Sequence, residues 1–256
     1  MIQMYKNTPL FYSSVGTGNP LVLLHGFLES SSIWEPFVEE LSLKRQIITI
    51  DLPGHGRSGN ISDCHSMELM ADAVHEILTH LQIKNATIMG HSMGGYVSLE
   101  FCKKFPIMTQ GLVLLNSTPE ADSDERKKNR SRSIKIIRRN KSSYISMAIS
   151  NLLSEQNTKL YPEQVESLKN EAMNFSEEGI IAALKGMKIR TDNKAVLSRF
   201  KGVKYLISGT QDPILNFSDV ERVATTCNCE LFPLEGGHLS FIENEKELQS
   251  IMHFID

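Results

Sequence analysis

A serine, an aspartate and a histidine stand at three separated points of this 256-residue chain, and together they could carry out acyl transfer. Ser92 lies in Ala86 to Leu99, ATIMGHSMGGYVSL, where a β-prone run meets a helix-forming one. Gly90 and Gly94 flank it two residues away on either side. A strand that turns sharply into a helix needs such small neighbours, because the two backbones come close. The turn exposes the serine hydroxyl and places the Met93 N–H at the open end of a helix. Donors there are unpaired and can hold an oxyanion. Gly-x-Ser-x-Gly also arises by chance, so the rest of the chain has to decide.

A serine hydroxyl is a poor nucleophile near neutral pH and needs a base, itself oriented by an acid. At such a turn the expected order is Ser, then Asp or Glu, then His. Of the eight histidines only His238 and His253 follow Ser92. His253 sits late in a terminal helical pattern and reads as a surface or packing residue. His238 lies in Glu235-Gly236-Gly237-His238, a loop just after the apolar run 229–232. One strand earlier, the run 203–208 leads into Gly209-Thr210-Gln211-Asp212-Pro213, so Asp212 emerges from a carboxyl strand end. Its bland alternative is a turn aspartate before proline. Asp122 and Asp124 compete for the role of acid from a charged run expected to be mobile. Ser92, Asp212 and His238 form the preferred set. A second oxyanion donor is expected from Phe27, since Gly26 lets the chain turn after the strand 21–24. His25 precedes the nucleophile and is read as fixing that loop by hydrogen bonding.

The elements that must position these residues alternate. Continuous apolar runs at 20–24, 46–50, 86–90 and 111–115 read as strands buried on both faces. Helical patterns separate them. From Ser66 to Leu81, residues Met67, Met70, Ala71, Val74, Ile77, Leu78 and Leu81 share one helix face. Pro106 ends the helix 93–105. A strand at 203–208, a helix at 217–226, a strand at 229–232 and a helix at about 240–253 follow. This predicts an α/β fold: a doubly wound, mostly parallel sheet with helices on both faces. In such sheets ligands bind beyond the carboxyl ends of the strands. Thr118 to Asn193 breaks the alternation with helices near 124–140, 143–153, 162–173 and 176–189. The expected organisation is therefore a core of 1–117 and 194–256 with an all-helical cap, 118–193.

Composition narrows the class of partner. Lys plus Arg is 27 against 30 for Asp plus Glu, a net charge of −3. That balance provides no electrostatic attraction toward nucleic acid or an anionic membrane, so a small-molecule substrate is expected. The four cysteines are scattered, and Cys227-Asn228-Cys229 has one intervening residue where a zinc pair has two to four. Buried free thiols in a reducing compartment are the reading. The N-terminus has no apolar run of signal-peptide length, and no segment reaches a membrane span. A cytoplasmic protein without a metal or organic cofactor is expected.

Taken together, LLHGF, DLPGHGRS, GHSMGG, LISGTQDPI and GGHLSFIE resemble the α/β-hydrolase family in order and spacing, over essentially the whole chain. The resemblance implies Ser92 as nucleophile, Asp212 as acid, His238 as base, and the Phe27 and Met93 amides as oxyanion hole. It makes His55 and Arg57 structural. Ser at position 92 argues against haloalkane dehalogenases and epoxide hydrolases, and Leu239 against the ring-cleavage carbon–carbon hydrolases. The stretch Ala182 to Asp192 is similar to the enol-lactonase and small-ester branch. HGFLES with Trp34, and DLPGHGRS, also resemble the menaquinone-pathway lyase that eliminates pyruvate with the same triad. That lyase holds a multiply anionic substrate through cap arginines.

Arg126 to Lys141 holds nine Lys or Arg and no acid. A solvated helix face is the ordinary reading of such a run. The sharper one turns Arg130 or Arg138 inward onto a substrate carboxylate, with His91 as a further substrate contact. The expected activity is a serine hydrolase cleaving a small carboxylic ester, lactone or thioester. The alternatives are the lyase and a non-catalytic ligand-binding module of the same fold.

Overall fold

A computed structural model describes residues 1–157 and 159–255. Thr158 and Asp256, which the expected spans 118–193 and 194–256 include, lie outside the described residues. The chain opens with β1 (Ile2–Tyr5), β2 (Thr8–Val15) and β3 (Pro20–Leu24), then a 3-10 turn at Ser31–Trp34 leads into α1 (Glu35–Leu41). Next come β4 (Gln46–Ile50), α2 (Met67–His80), β5 (Ala86–His91), α3 (Met93–Lys104) and β6 (Thr109–Leu115). Five helices follow: α4 (Asp124–Arg139), α5 (Lys141–Ser150), α6 (Pro162–Met173), α7 (Glu177–Ile189) and α8 (Lys194–Arg199). The chain closes with β7 (Val203–Gly209), α9 (Phe217–Cys227), β8 (Glu230–Leu234), α10 (Ser240–Glu243) and α11 (Glu245–Phe254).

The strands form one sheet in the order β1-β2-β4-β3-β5-β6-β7-β8. From β4 to β8 every pairing is parallel, whereas β1 and β2 are antiparallel. The hairpin β1–β2 escapes the sequence reading because its strands are mixed in polarity and half exposed, so neither shows the continuous apolar run of the inner strands. The inner strands do: Leu21 to Leu24 and Ile88 to Met89 have no exposed surface. Burial of such side chains contributes about 1.5–3 kcal/mol each, which is what fixes these strands at the centre of the sheet.

Parallel register sets the carboxyl ends of the central strands level. Leu24 pairs with Gly90, His91 with Leu115, Leu115 with Ile207, and Gly209 with Leu234. The residues just beyond these positions therefore meet along one edge. The final helical pattern, expected as one helix, divides at Asn244, where Glu243 turns inward onto Gly237 N–H and the Ser154 hydroxyl. All four cysteines are free thiols; Cys102 and Cys227 are buried, while Cys64 and Cys229 are partly exposed. Among the described residues, no helix is long and apolar enough to cross a membrane.

Candidate active site

Ser92 occupies the turn between β5 and α3 with φ 49° and ψ −113°, a backbone state that non-glycine residues rarely adopt. Its neighbours must be glycine: a Cβ on Gly90 would lie 2.2 Å from the Gly94 carbonyl carbon, and one on Gly94 2.4 Å from Leu24 O. The strain is held from outside. Ser92 N–H donates to Leu115 O at 2.9 Å, and the Ser117 hydroxyl donates to Ser92 O at 2.8 Å.

His238 and Asp212 arrive from the ends of β8 and β7. His238 Nδ1 donates to Asp212 Oδ2 at 2.7 Å, which leaves Nε2 to accept from the Ser92 hydroxyl at 2.9 Å. An ionised carboxylate can only accept, so these partners assign the tautomer. Burial works against the Asp212 charge, but the His238 imidazole, the Asn116 amide and the Ile214 N–H outweigh it. The carboxyl is held below its ordinary range. Its other oxygen accepts from Ile214 N–H at 2.7 Å and Leu215 N–H at 3.0 Å. Asp212 is thus fully partnered on both oxygens.

Sequence reasoning missed Asn116. It follows β6 with φ 44°, and its amide donates to Asp212 Oδ2 at 3.0 Å and to Gly237 O at 3.1 Å. Its own oxygen accepts from the Ser240 hydroxyl at 2.7 Å. The signal was available, because Asn116 stands at a carboxyl strand end by the same rule that picked out Asp212. Leu152 O accepts the His238 N–H at 2.8 Å, so the segment after α5 also steadies His238.

Several sequence candidates move. His253 pairs with Glu40 on the surface. Asp122 is no mobile acid: it is 3% exposed and clamped between Arg130 and Arg190, its carboxyl held below the ordinary range despite burial. Asp124 is exposed in the first turn of α4, where its charge suits the helix dipole. Arg138 is exposed and does not line the pocket, because only Ile137 of α4 is buried and Arg138 lies beside it toward solvent. Arg130 does reach the pocket, with Nε and one terminal nitrogen committed to Asp122. His91 has no exposed surface and cannot touch a substrate; it pairs with Glu29 and donates to His238 O. His25 does fix its loop: its Nδ1 donates to Gly26 O at 2.7 Å and its Nε2 accepts from Leu52 N–H at 2.9 Å. His55 is buried with its ring edge-on to Phe27, and Arg57 N–H donates to Asp51.

Phe27 lies on the wall of a cavity of about 310 Å³ together with Ser92 and His238. Its N–H, like that of Met93 at the start of α3, has no acceptor among the described residues. The remaining wall is mostly apolar, from Leu28, Tyr96, Tyr144, Met147 and Met187, with Arg126, Arg130 and Glu29 as its charged side chains. Tyr144 and Met147 come from α5 and Met187 from α7, so the cavity lies between those helices and the strand ends.

Over residues 19–245 the chain matches the family model described as alpha/beta hydrolase fold. It is an α/β-hydrolase. Among solved structures it is similar to a thermophilic esterase from Thermogutta terrifontis, with 29% identity and a TM-score of 0.91. That alignment covers 96% of this chain and 92% of the other. The enol-lactonase from Burkholderia xenovorans has the same fold, with TM-score 0.91 at 19% identity over 100% of this α/β-hydrolase and 99% of the lactonase. A putative carbamate hydrolase of Rhizobium rhizogenes is 35% identical over 103 residues, 40% of this chain and 39% of that one. The match spans less than half the length of the curated relatives, 30% of one and 39% of another. The neighbours of this α/β-hydrolase are thus esterase-, lactonase- and carbamate hydrolase-like.

Proposed function

We propose that this α/β-hydrolase cleaves a small carboxylic ester or lactone through an acyl-enzyme on Ser92. The observation that carries the reading is the hydrogen-bonded series Ser92 Oγ, His238 Nε2 and Nδ1, Asp212 Oδ2 at the wall of the cavity. His238 takes the Ser92 proton as Oγ bonds to the carbonyl carbon, and Asp212 stabilises the imidazolium that forms. The Phe27 and Met93 N–H groups receive the oxyanion; two such preorganised donors are worth several kcal/mol in the transition state. Collapse breaks the ester C–O bond, and His238 returns its proton to the departing alkoxide. Water, deprotonated by His238, then attacks the acyl-enzyme and releases the acid, with the proton passing back to Ser92.

The cavity of about 310 Å³ suits a short acid. Mass spectrometry after treatment with a fluorophosphonate tests the reading. One adduct on wild type and none on Ser92→Ala is expected; an equal adduct on both overturns the assignment. Absence of any adduct favours the non-catalytic binding module.

Arg126 and Arg130 on the cavity wall favour one second reading, the pyruvate-eliminating lyase, whose substrate is multiply anionic. In that chemistry His238, through Ser92, removes a substrate proton and no acyl-enzyme forms. Pyruvate release from the menaquinone intermediate, with little turnover of p-nitrophenyl esters, distinguishes it.

A further inference from the structure

Behind the Ser92 turn runs a second hydrogen-bonded series, which the reaction as described does not use. Gly26 N–H donates to Glu29 Oε2 at 2.6 Å. His91 Nδ1 donates to the same oxygen at 2.8 Å, and His91 Nε2 donates to the His238 carbonyl at 2.9 Å. A carbonyl can only accept, so His91 must carry a proton on Nε2. We propose that Glu29 and His91 are positioning residues that hold the oxyanion loop and the base in register with Ser92. The proposal rests on the hydrolase reading above and deepens it.

Each end of this series is one residue from a reacting group, or belongs to one. Gly26 precedes Phe27, whose N–H is the proposed oxyanion donor. His91 precedes Ser92, and the carbonyl it holds is that of His238. The fit leaves no slack: a Cβ on Gly26 would lie 2.7 Å from Glu29 Oε2 and 2.9 Å from His91 Nδ1. His91 is further held between rings, with its centroid 5.1 Å from that of His238 and 5.2 Å from that of Phe241, the latter edge-on.

Stability alone is a poor reason for such a pair. Both side chains are buried, and desolvation offsets most of the attraction between buried charges. An apolar pair of the same volume would serve packing as well. What it could not do is bond three loops to one another by direction. Burial disfavours charge on both, yet each holds the other charged: Glu29 below the ordinary carboxylate range, His91 above that of imidazole. Two motif residues that the reaction as described does not use, Glu29 of HGFLES and His91 of GHSMGG, thereby acquire a shared role.

The test uses a short p-nitrophenyl ester and the fluorophosphonate on wild type, Glu29→Ala, His91→Phe and Glu29→Gln, each checked for folding by circular dichroism. A misplacement of about 1 Å costs up to ~100-fold, so Glu29→Ala and His91→Phe should lose ~10- to 100-fold in kcat. KM should stay near wild type in His91→Phe, because His91 has no exposed surface and lies off the cavity wall, and in both variants Ser92 should label more slowly in proportion. Glu29→Gln should recover most of the loss, since its amide oxygen, placed where Oε2 stands, can accept from both Gly26 N–H and His91 Nδ1–H. Unchanged kcat in folded variants, a rise in KM alone, or Glu29→Gln no faster than Glu29→Ala overturns the proposal. If a truncation does not fold, Glu29→Asp against Glu29→Gln carries the comparison: aspartate keeps the charge and loses the reach, so it must be the slower. Failure of wild type to label removes the hydrolase reading and this series with it. Equal labelling of wild type and variants removes the series alone.

Discussion

The Asn116 amide lies 3.0 Å from Asp212 Oδ2, so the oxygen that takes the His238 proton donor is shared with a side chain from the neighbouring strand end. Asn116 also reaches Gly237 O, next to His238, at 3.1 Å. One residue therefore ties the loops after β7 and β8 to β6.

Asn116→Ala removes a hydrogen bond to a charged group, worth about 1.5–3 kcal/mol. Where that orientation is needed in the transition state, kcat toward a short ester should fall about tenfold or more. KM should change little. Steady-state kinetics with an unchanged circular dichroism spectrum checks this; full activity in the folded variant would leave Asn116 as a packing residue.

His65 is buried behind the loop 61–62, where its Nε2 accepts from Ile61 N–H at 3.2 Å. Burial pushes its pKa down to about 4 from an ordinary 6.5. The unfolded chain thus takes up a proton that the folded one refuses. Stability from this residue is present above pH 6.5 and is lost as pH falls toward 4. His25 and His55 are displaced in the same direction by burial and add to the slope. His65→Gln keeps an acceptor for Ile61 and cannot titrate, so its Tm should fall less between pH 7 and pH 4.5 than that of wild type. Parallel Tm curves for the two proteins would refute the assignment.

Asp122 is the shared carboxylate partner of two largely buried guanidiniums, with side-chain exposures of 17% for Arg130 and 4% for Arg190. Asp122→Ala leaves both without their carboxylate. Removing one partner of a buried ion pair costs about 3–5 kcal/mol, a loss that urea unfolding would register directly. A change below about 1 kcal/mol, typical of exposed pairs, would show that water reaches the cluster.

Much of the site was legible because parallel strands impose order. Runs at 20–24, 46–50, 86–90, 111–115, 203–208 and 229–232 located six strands, and Ser92, Asp212 and His238 were picked out just beyond three of them. The β1–β2 hairpin was not legible, since an edge strand carries half-exposed side chains and shows no continuous run. Nor were the arginines of α4 separable. Arg130 and Arg138 both belong to one basic helix, and only the packing of Ile137 decides which of them turns inward.

Glu29 and His91 show the limit most clearly. The sequence by itself determined the α/β architecture, the hydroxyl at the turn, and an aspartate and a histidine at later strand ends, because those follow from local periodicity and from glycines that no larger residue can replace. Only the tertiary structure decided which partners each polar side chain keeps. Glu29 and His91 stand 62 residues apart. Which hydrogen bond a buried group makes depends on the three-dimensional register of separate strands, and no local pattern encodes that register.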